Sequence, residues 1–216
     1  MDEGQCIFLV DDDADIRGSL SRALGLRGYD VRPFASAREF LDAYDADVSG
    51  CLILDYGMPE MNGLQLQKHL RDNGSHLPII FITGHGGIPE SVEAMKMGAV
   101  DFLEKPFKQS VLIDRIEIAL ITDERRRAAT LQTSGVLARF QALTDREREI
   151  ALILTTRPGQ NSSKEIARQL DISPRTIDHH RARILEKMDV GTVAELVETS
   201  LKAGLFSDKD TPDLPD

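Results

Sequence analysis

The chain has 216 residues, 41% of them hydrophobic, which is enough for two ordinary domains with real cores. With 36 acidic against 26 basic residues the formal charge is −10, which argues against a uniformly cationic nucleic-acid binder, and no apolar run approaches the length of a membrane span. The charge is unevenly placed: 20 acidic and 11 basic residues lie up to Thr122, but 12 and 14 lie between Asp123 and Phe206, so the two parts differ in kind.

In chain order, apolar runs with strand character recur at Cys6 to Val10, Tyr29 to Phe34, Cys51 to Leu54, Pro78 to Thr83 and Asp101 to Leu103. Helical patterns lie between them. The first, Ala14 to Arg27, stops at Gly28; Ser36 with Glu39 is a capping-box signature; Gly63 to Asn73 ends at Gly74; Pro89 to Met97 ends at Gly98; Lys108 to Ile121 is the fifth. Strict alternation through five units predicts an α/β fold, a doubly wound five-stranded parallel sheet with helices on both faces. Right-handed crossovers then bring all five strand ends to one edge. Cys6 and Cys51 each head an apolar strand and read as buried free thiols in a reducing compartment. Together with the acidic start Met1 to Gly4, this gives a cytoplasmic protein with no membrane association as the expectation.

The chemistry collects at that edge. Strand one runs into Asp11-Asp12-Asp13, strand three into Asp55, strand four into Thr83-Gly84-His85, and strand five into Glu104-Lys105-Pro106. Each has an ordinary explanation alone: a helix-start acid cluster, a turn aspartate, a β-branched strand residue, a solvated lysine. Together, clustered carboxylates call for a cation, and a hard divalent ion with oxygen ligands, Mg²⁺ by preference, resolves their repulsion. Lys105 and the Thr83 hydroxyl suit an anion developing on Asp55, with phosphate the obvious candidate.

Val10-Asp11-Asp12, Asp55-Tyr56-Gly57-Met58-Pro59 with Asn62-Gly63, Thr83-Gly84-His85 and Lys105-Pro106-Phe107 resemble, in order and spacing, the receiver domain of two-component response regulators, a flavodoxin-like fold. The resemblance implies Asp55 as phosphoacceptor, Asp12 as a direct Mg²⁺ ligand, Asp11 as a ligand through water and the Gly57 carbonyl as a backbone ligand. It implies Lys105 as partner of the phosphoryl group, aimed by a cis peptide to Pro106, with Thr83 as switch hydroxyl and Phe102 as the aromatic that turns inward. The resemblance also puts Gly57 and His85 at the positions that, in that family, help set how fast the acyl phosphate is lost.

Beyond Thr122, the run Asp123 to Arg127 is able to prolong the fifth helix, but Thr130 to Gly135 breaks the apolar rhythm, so 122–142 reads as a linker with partly helical character. A series of capped helices follows. Thr144 with Glu147 opens Asp145 to Leu154; Ser162 with Glu165 opens Lys164 to Leu170; Ser173 precedes Pro174; Thr192 with Glu195 opens a helix ending near Gly204. The pair around Asp171-Ile172-Ser173 has the brevity of a helix-turn-helix, and the outward face of its second helix is expected to carry Arg175, His179, Arg181 and Arg183. Leu143-Thr144-x-Arg146-Glu147, Lys164-Glu165-Ile166-Ala167, Ile172-Ser173 and Thr176-Ile177-x-x-His180 resemble the LuxR-type helix-turn-helix, which adds Lys164, Ser173 and Thr176 to the DNA-facing set. Asp178 and Ala182 stand where many relatives place lysines, and the Thr155 to Asn161 turn is longer than usual.

The division expected is therefore a receiver domain over 1–121, a linker over 122–142, an all-α helix-turn-helix DNA-binding domain over 143–206 and a disordered tail over 207–216. The whole resembles a NarL/FixJ-type response regulator, nearest the FixJ branch. This implies a regulator, not an enzyme beyond its own phosphorylation and dephosphorylation. The resemblance implies further that it takes phosphoryl from a sensor histidine kinase with Mg²⁺, dimerises and binds promoter DNA, with RNA polymerase open as an additional partner. Two alternatives stand beside it. One is a receiver whose carboxy-terminal helices bind protein. The other is an aspartyl-phosphate hydrolase, which would place a second Asp where Gly57 stands.

Overall fold

A computed structural model describes residues 5–84, 88–156 and 161–206. His85, the Arg157-Pro158-Gly159 turn and the 207–216 tail lie outside the described residues. The chain divides into two compact units, residues 1–127 and 128–216.

In the first unit the strands are β1 (Cys6–Val10), β2 (Asp30–Phe34), β3 (Gly50–Asp55), β4 (Ile79–Thr83) and β5 (Asp101–Glu104). All pairings are parallel and the order is β2-β1-β3-β4-β5, the doubly wound arrangement expected. Because side chains alternate along a strand, each of the central strands feeds two cores. Phe8, Val10, Leu52, Leu54 and Phe81 pack with Phe40 of α2 (Ala37–Ala43), Leu66 of α3 (Gly63–Asp72) and Ala94 of α4 (Ile88–Lys96). Ile7, Leu9, Ile53, Ile80 and Ile82 pack with Leu24 of α1 (Ala14–Gly25) and with Leu112 and Ile116 of α5 (Gln109–Gln141). β2 is an edge strand, half exposed and carrying Pro33, which an unpaired side tolerates. Gly50 admits β3 beside β1, since a Cβ there would lie 1.8 Å from the Cys6 carbonyl oxygen.

The stretch 122–142, read as a partly helical linker, is helical as far as Gln141, where it forms the end of helix α5. That helix runs unbroken for 33 residues. Residues 128–135 are exposed, so they have no apolar rhythm to show, while Arg125 to Arg127, Ala128, Ala129, Leu131 and Gln132 are good helix formers. A long-range clasp holds the helix where the sheet ends. The fully buried Asp123 carboxylate accepts from Ser49 Oγ (2.8 Å), Gly50 N (3.0 Å) and Arg127 Nε (2.7 Å), and is paired with Arg126. Arg127 also donates to the carbonyls of Ala46, Asp47 and Val48.

The second unit contains the last turns of α5, then α6 (Asp145–Thr156), α7 (Ser163–Gln169), α8 (Pro174–Met188) and α9 (Val193–Lys202). Its core joins Val136, Leu143, Ile150, Leu154, Ile166, Ile177, Ile184, Met188 and Leu196. The expected caps are present. Ser162 and Glu165 form a reciprocal box, Ser173 Oγ accepts from Thr176 N with Pro174 at the first turn, and Thr192 accepts from Glu195 N.

Candidate functional site

Register places the polar residues that end β1, β3, β4 and β5 at one edge. Val10 pairs with Leu54, Asp55 with Ile82, and Thr83 with Glu104, so Asp11, Asp55, Thr83 and Lys105 follow in neighbouring rows. Asp55 and Thr83 are held by buried strands and are themselves buried. Lys105 Nζ donates to Asp11 Oδ2 at 2.8 Å and to Asp55 Oδ1 at 2.7 Å, which makes it a cation shared between two carboxylates. Gly57 N donates to Asp55 Oδ2 at 2.7 Å, fixing the second oxygen. The Lys105–Pro106 peptide is cis.

Electrostatics at the edge follow from this packing. Burial pushes the Asp11 carboxyl up from its ordinary value, and the Lys105 bond only partly offsets it. Burial works against the charge on Lys105, yet its bonds to Asp11 and Asp55 outweigh that and raise its pKa. The two bonds thus favour the charged form of Lys105, and additional positive charge would favour the ionised form of Asp11. The residues surround a cleft of about 240 Å³ lined by Asp11, Asp12, Asp55, Gly57, Thr83 and Lys105 among others. Asp12 is exposed at its rim. Asp11, Asp12 and Asp55 bring carboxylate oxygens to the lining, ligands of the kind that suits a hard divalent ion. Among the described residues no three His, Cys, Asp or Glu side chains form a close ligand cluster, and it is the Lys105 ammonium that joins Asp11 to Asp55.

Two more residues complete the edge, Asp13, the last of the acid cluster read as a helix start, and Arg17, which sequence reasoning did not single out. Asp13 is the N-cap of α1, accepting from Asp15 N (2.8 Å) and Ile16 N (3.2 Å), so it is committed to the helix and separate in role from Asp11 and Asp12. Arg17 reaches back from α1 to donate to the Asp11 carbonyl at 2.7 Å. An aspartate just ahead of an apolar helix carried the first signal; nothing local marked the second. Phe102 is half buried, its ring 5.9 Å from that of Phe81 and 6.2 Å from that of Tyr56.

In the second unit, α8 buries Ile177, Ile184 and Met188 and exposes Arg175, His179 and Arg183. Lys164 is exposed at the start of α7; Ser173 is exposed as the cap and Thr176 is half buried, its hydroxyl 2.8 Å from that of Ser173. Arg181 departs from the outward placement expected of it. It is half buried, and its Nη1 donates to the Asn161 carbonyl (3.0 Å) and to Ser163 Oγ (3.3 Å). The reason is helical spacing: Arg181 lies four residues after buried Ile177 and shares its side of the helix. A half-buried bridge that sequence reasoning also missed joins Lys187 Nζ of α8 to Glu147 Oε2 of α6 at 2.6 Å, and Glu147 in turn accepts from Thr144 N at 2.8 Å. Burial would raise the Glu147 carboxyl, but these bonds dominate and bring it down to about 2.

Comparison with known proteins bears on both units. Residues 7–117 match the family described as the response regulator receiver domain, and residues 141–200 match bacterial regulatory proteins of the luxR family. The chain is 41% identical over 202 residues to the transcriptional regulatory protein FixJ of Bradyrhizobium diazoefficiens, covering 94% of this chain and 97% of that one. It is 39% identical to the response regulator protein TodT of Pseudomonas putida, over 92% of this chain and 86% of that one. Among solved structures, the response regulator StyR is similar with a TM-score of 0.83 at 38% identity, covering 92% of this chain and 99% of that one. Full-length FixJ from B. japonicum is similar with a TM-score of 0.57 at 40% identity, covering 96% and 100%. Among the described residues no helix is long and apolar enough to cross a membrane.

Proposed function

The chain belongs to the two-component response regulators that join a receiver to a LuxR-type DNA-binding domain, and from that premise we propose that Asp55 accepts a phosphoryl group from a sensor histidine kinase and thereby controls promoter binding. The observation that carries the reading is the Lys105 ammonium bonded at once to Asp11 and Asp55. An Asp55 oxygen attacks phosphorus, the bond from phosphorus to the kinase histidine breaks, and the imidazole leaves. Gly57 N and Lys105 orient the attacking carboxylate, and Lys105 then balances the charge gained on the phosphoryl oxygens. Asp12, Asp55 and the Gly57 carbonyl would hold Mg²⁺ directly and Asp11 through water; when bound, the ion supplies charge neutralisation for the transfer.

Capture of the phosphoryl group by the Thr83 hydroxyl draws that residue inward. Phe102, packed on Phe81 and Tyr56, follows, and the surface of α4 and β5 is remodelled toward a dimer. Two DNA-binding domains then grip a two-fold promoter site through Lys164, Ser173, Arg175, Thr176, His179 and Arg183, with Arg181 supporting α8 from behind. Within the same reading, 1–121 is the receiver, 122–142 the helical connection and 143–206 the DNA-binding domain. The protein works in the cytoplasm as a regulator and not as an enzyme on other substrates, with RNA polymerase as the machinery it addresses. The test is a mobility shift on promoter fragments with and without acetyl phosphate and Mg²⁺. Binding should strengthen on phosphorylation and weaken steeply with added salt; affinity indifferent to both would overturn the proposal.

A further inference from the structure

The exposed side of α8 carries a carboxylate in its first two turns, Asp178, and we propose that it reads a base. It accepts a hydrogen bond from the amino group of a cytosine in the major groove, which makes Asp178 a specificity-determining residue. The inference rests on the DNA-binding reading given above.

Three observations carry it. The first is position. α8 begins at Pro174, and Asp178 is exposed on the flank of the helix that adjoins Ser163 of α7, three residues after Arg175 and four before Ala182. Side chains in the amino-terminal half of a recognition helix are those that reach base edges, and Ala182, one turn further on, presents only a methyl group. The second is charge. Arg175, His179 and Arg183 suit phosphates, whereas a carboxylate is repelled by them and adds nothing to backbone contact. Of the major-groove edges, guanine and the thymine carbonyl present acceptors, and adenine sets an acceptor beside its amino group. Cytosine alone offers a donor without one. The third is preorganisation. Ser163 Oγ donates to Asp178 Oδ1, and the same Ser163 Oγ accepts from Arg181 Nη1 at 3.3 Å. Arg181 is fixed in turn by the Asn161 carbonyl at 3.0 Å. One carboxylate oxygen is therefore tethered, and no bond to the other is formed among the described residues.

The test is selection from a randomised duplex library by the full chain activated with acetyl phosphate and Mg²⁺, run beside Asp178→Ala and Asp178→Asn. Wild type should select one cytosine in each half-site with roughly tenfold discrimination. Asp178→Ala should lose that preference while keeping the rest of the motif and the salt dependence. Asp178→Asn retains an acceptor for Ser163 and should shift the same position to adenine, which an amide reads through paired donor and acceptor. An identical motif from all three proteins overturns the inference. So does a loss of affinity uniform over every sequence, since Asp178 would then be only a brace between α7 and α8. Failure of the wild type to select any sequence would instead overturn the DNA-binding reading beneath it.

Discussion

Replacing Asp123 with Ala should destabilise the first unit markedly. The carboxylate is fully buried, and the side chains of Arg126 and Arg127 beside it are 32% and 24% exposed. Removing one partner of a buried charged network costs about 3–5 kcal/mol when the other charges stay trapped. Both arginines can turn partly to water, which discounts that figure, but the Gly50 N–H and Ser49 hydroxyl would lose their acceptor at a cost of about 1–3 kcal/mol. The net loss expected is about 3 kcal/mol, which for a unit of this size lowers Tm by roughly 10 °C. Asp123→Asn, which still accepts from Gly50 and Ser49, should lose about half as much. Burial would raise the Asp123 carboxyl, but its bonds to Arg126, Arg127, Gly50 and Ser49 prevail and hold it below its ordinary value. A depressed folded-state pKa gives a contribution that is complete above the unfolded carboxylate value and lost as pH falls through the folded one. The gap between wild type and Asp123→Ala should accordingly narrow in acid. Differential scanning calorimetry of the full chain at neutral and acid pH reads both effects. A drop in the first-unit transition of under about 2 °C at neutral pH would refute the reasoning.

Two further outcomes follow from the packing. Glu147→Gln should cost the second unit about 2–3 kcal/mol at neutral pH, since its carboxyl is held at about 2 instead of 4.5; that difference should shrink between pH 4.5 and about 2 and vanish below it, as melting curves against pH would register. Gly63→Ala should cost about 1–3 kcal/mol in urea denaturation, because a Cβ there would meet the Asp55 carbonyl oxygen and the Phe81 ring, each at 2.7 Å; an unchanged midpoint would mean that β3 and α3 have slack between them.

Much of the receiver unit was legible in the sequence for a physical reason. β1, β3 and β4 are buried on both faces, so they appear as continuous apolar runs, and the site residue at the end of each is the first polar group after such a run. Asp11, Asp55 and Thr83 could be read from that alone, and parallel topology then brought them together; Lys105 follows Glu104 at the end of the short, half-exposed β5, so its place at a strand end and the resemblance carried by Lys105-Pro106 had to supply it. The extent of α5 could not, because exposed helix has no burial period. The Asp123 clasp spans 73 and 74 residues to Gly50 and Ser49, and the Lys187–Glu147 bridge spans 40, separations at which pairing leaves no local pattern. Arg181 shows the converse. Its charge suggested an outward side chain, but its place four residues after Ile177 already put it on the inner side.

The account depends on Asp55 being the residue that carries phosphoryl, made receptive by Lys105 and Gly57. Treating the protein with acetyl phosphate and Mg²⁺, trapping the acyl phosphate by borohydride reduction and mapping the product by mass spectrometry tests this directly. The expected result is modification at Asp55, dependent on Mg²⁺ and abolished in a folded Asp55→Asn variant. Label on a different residue, or label that persists in that variant, would contradict it.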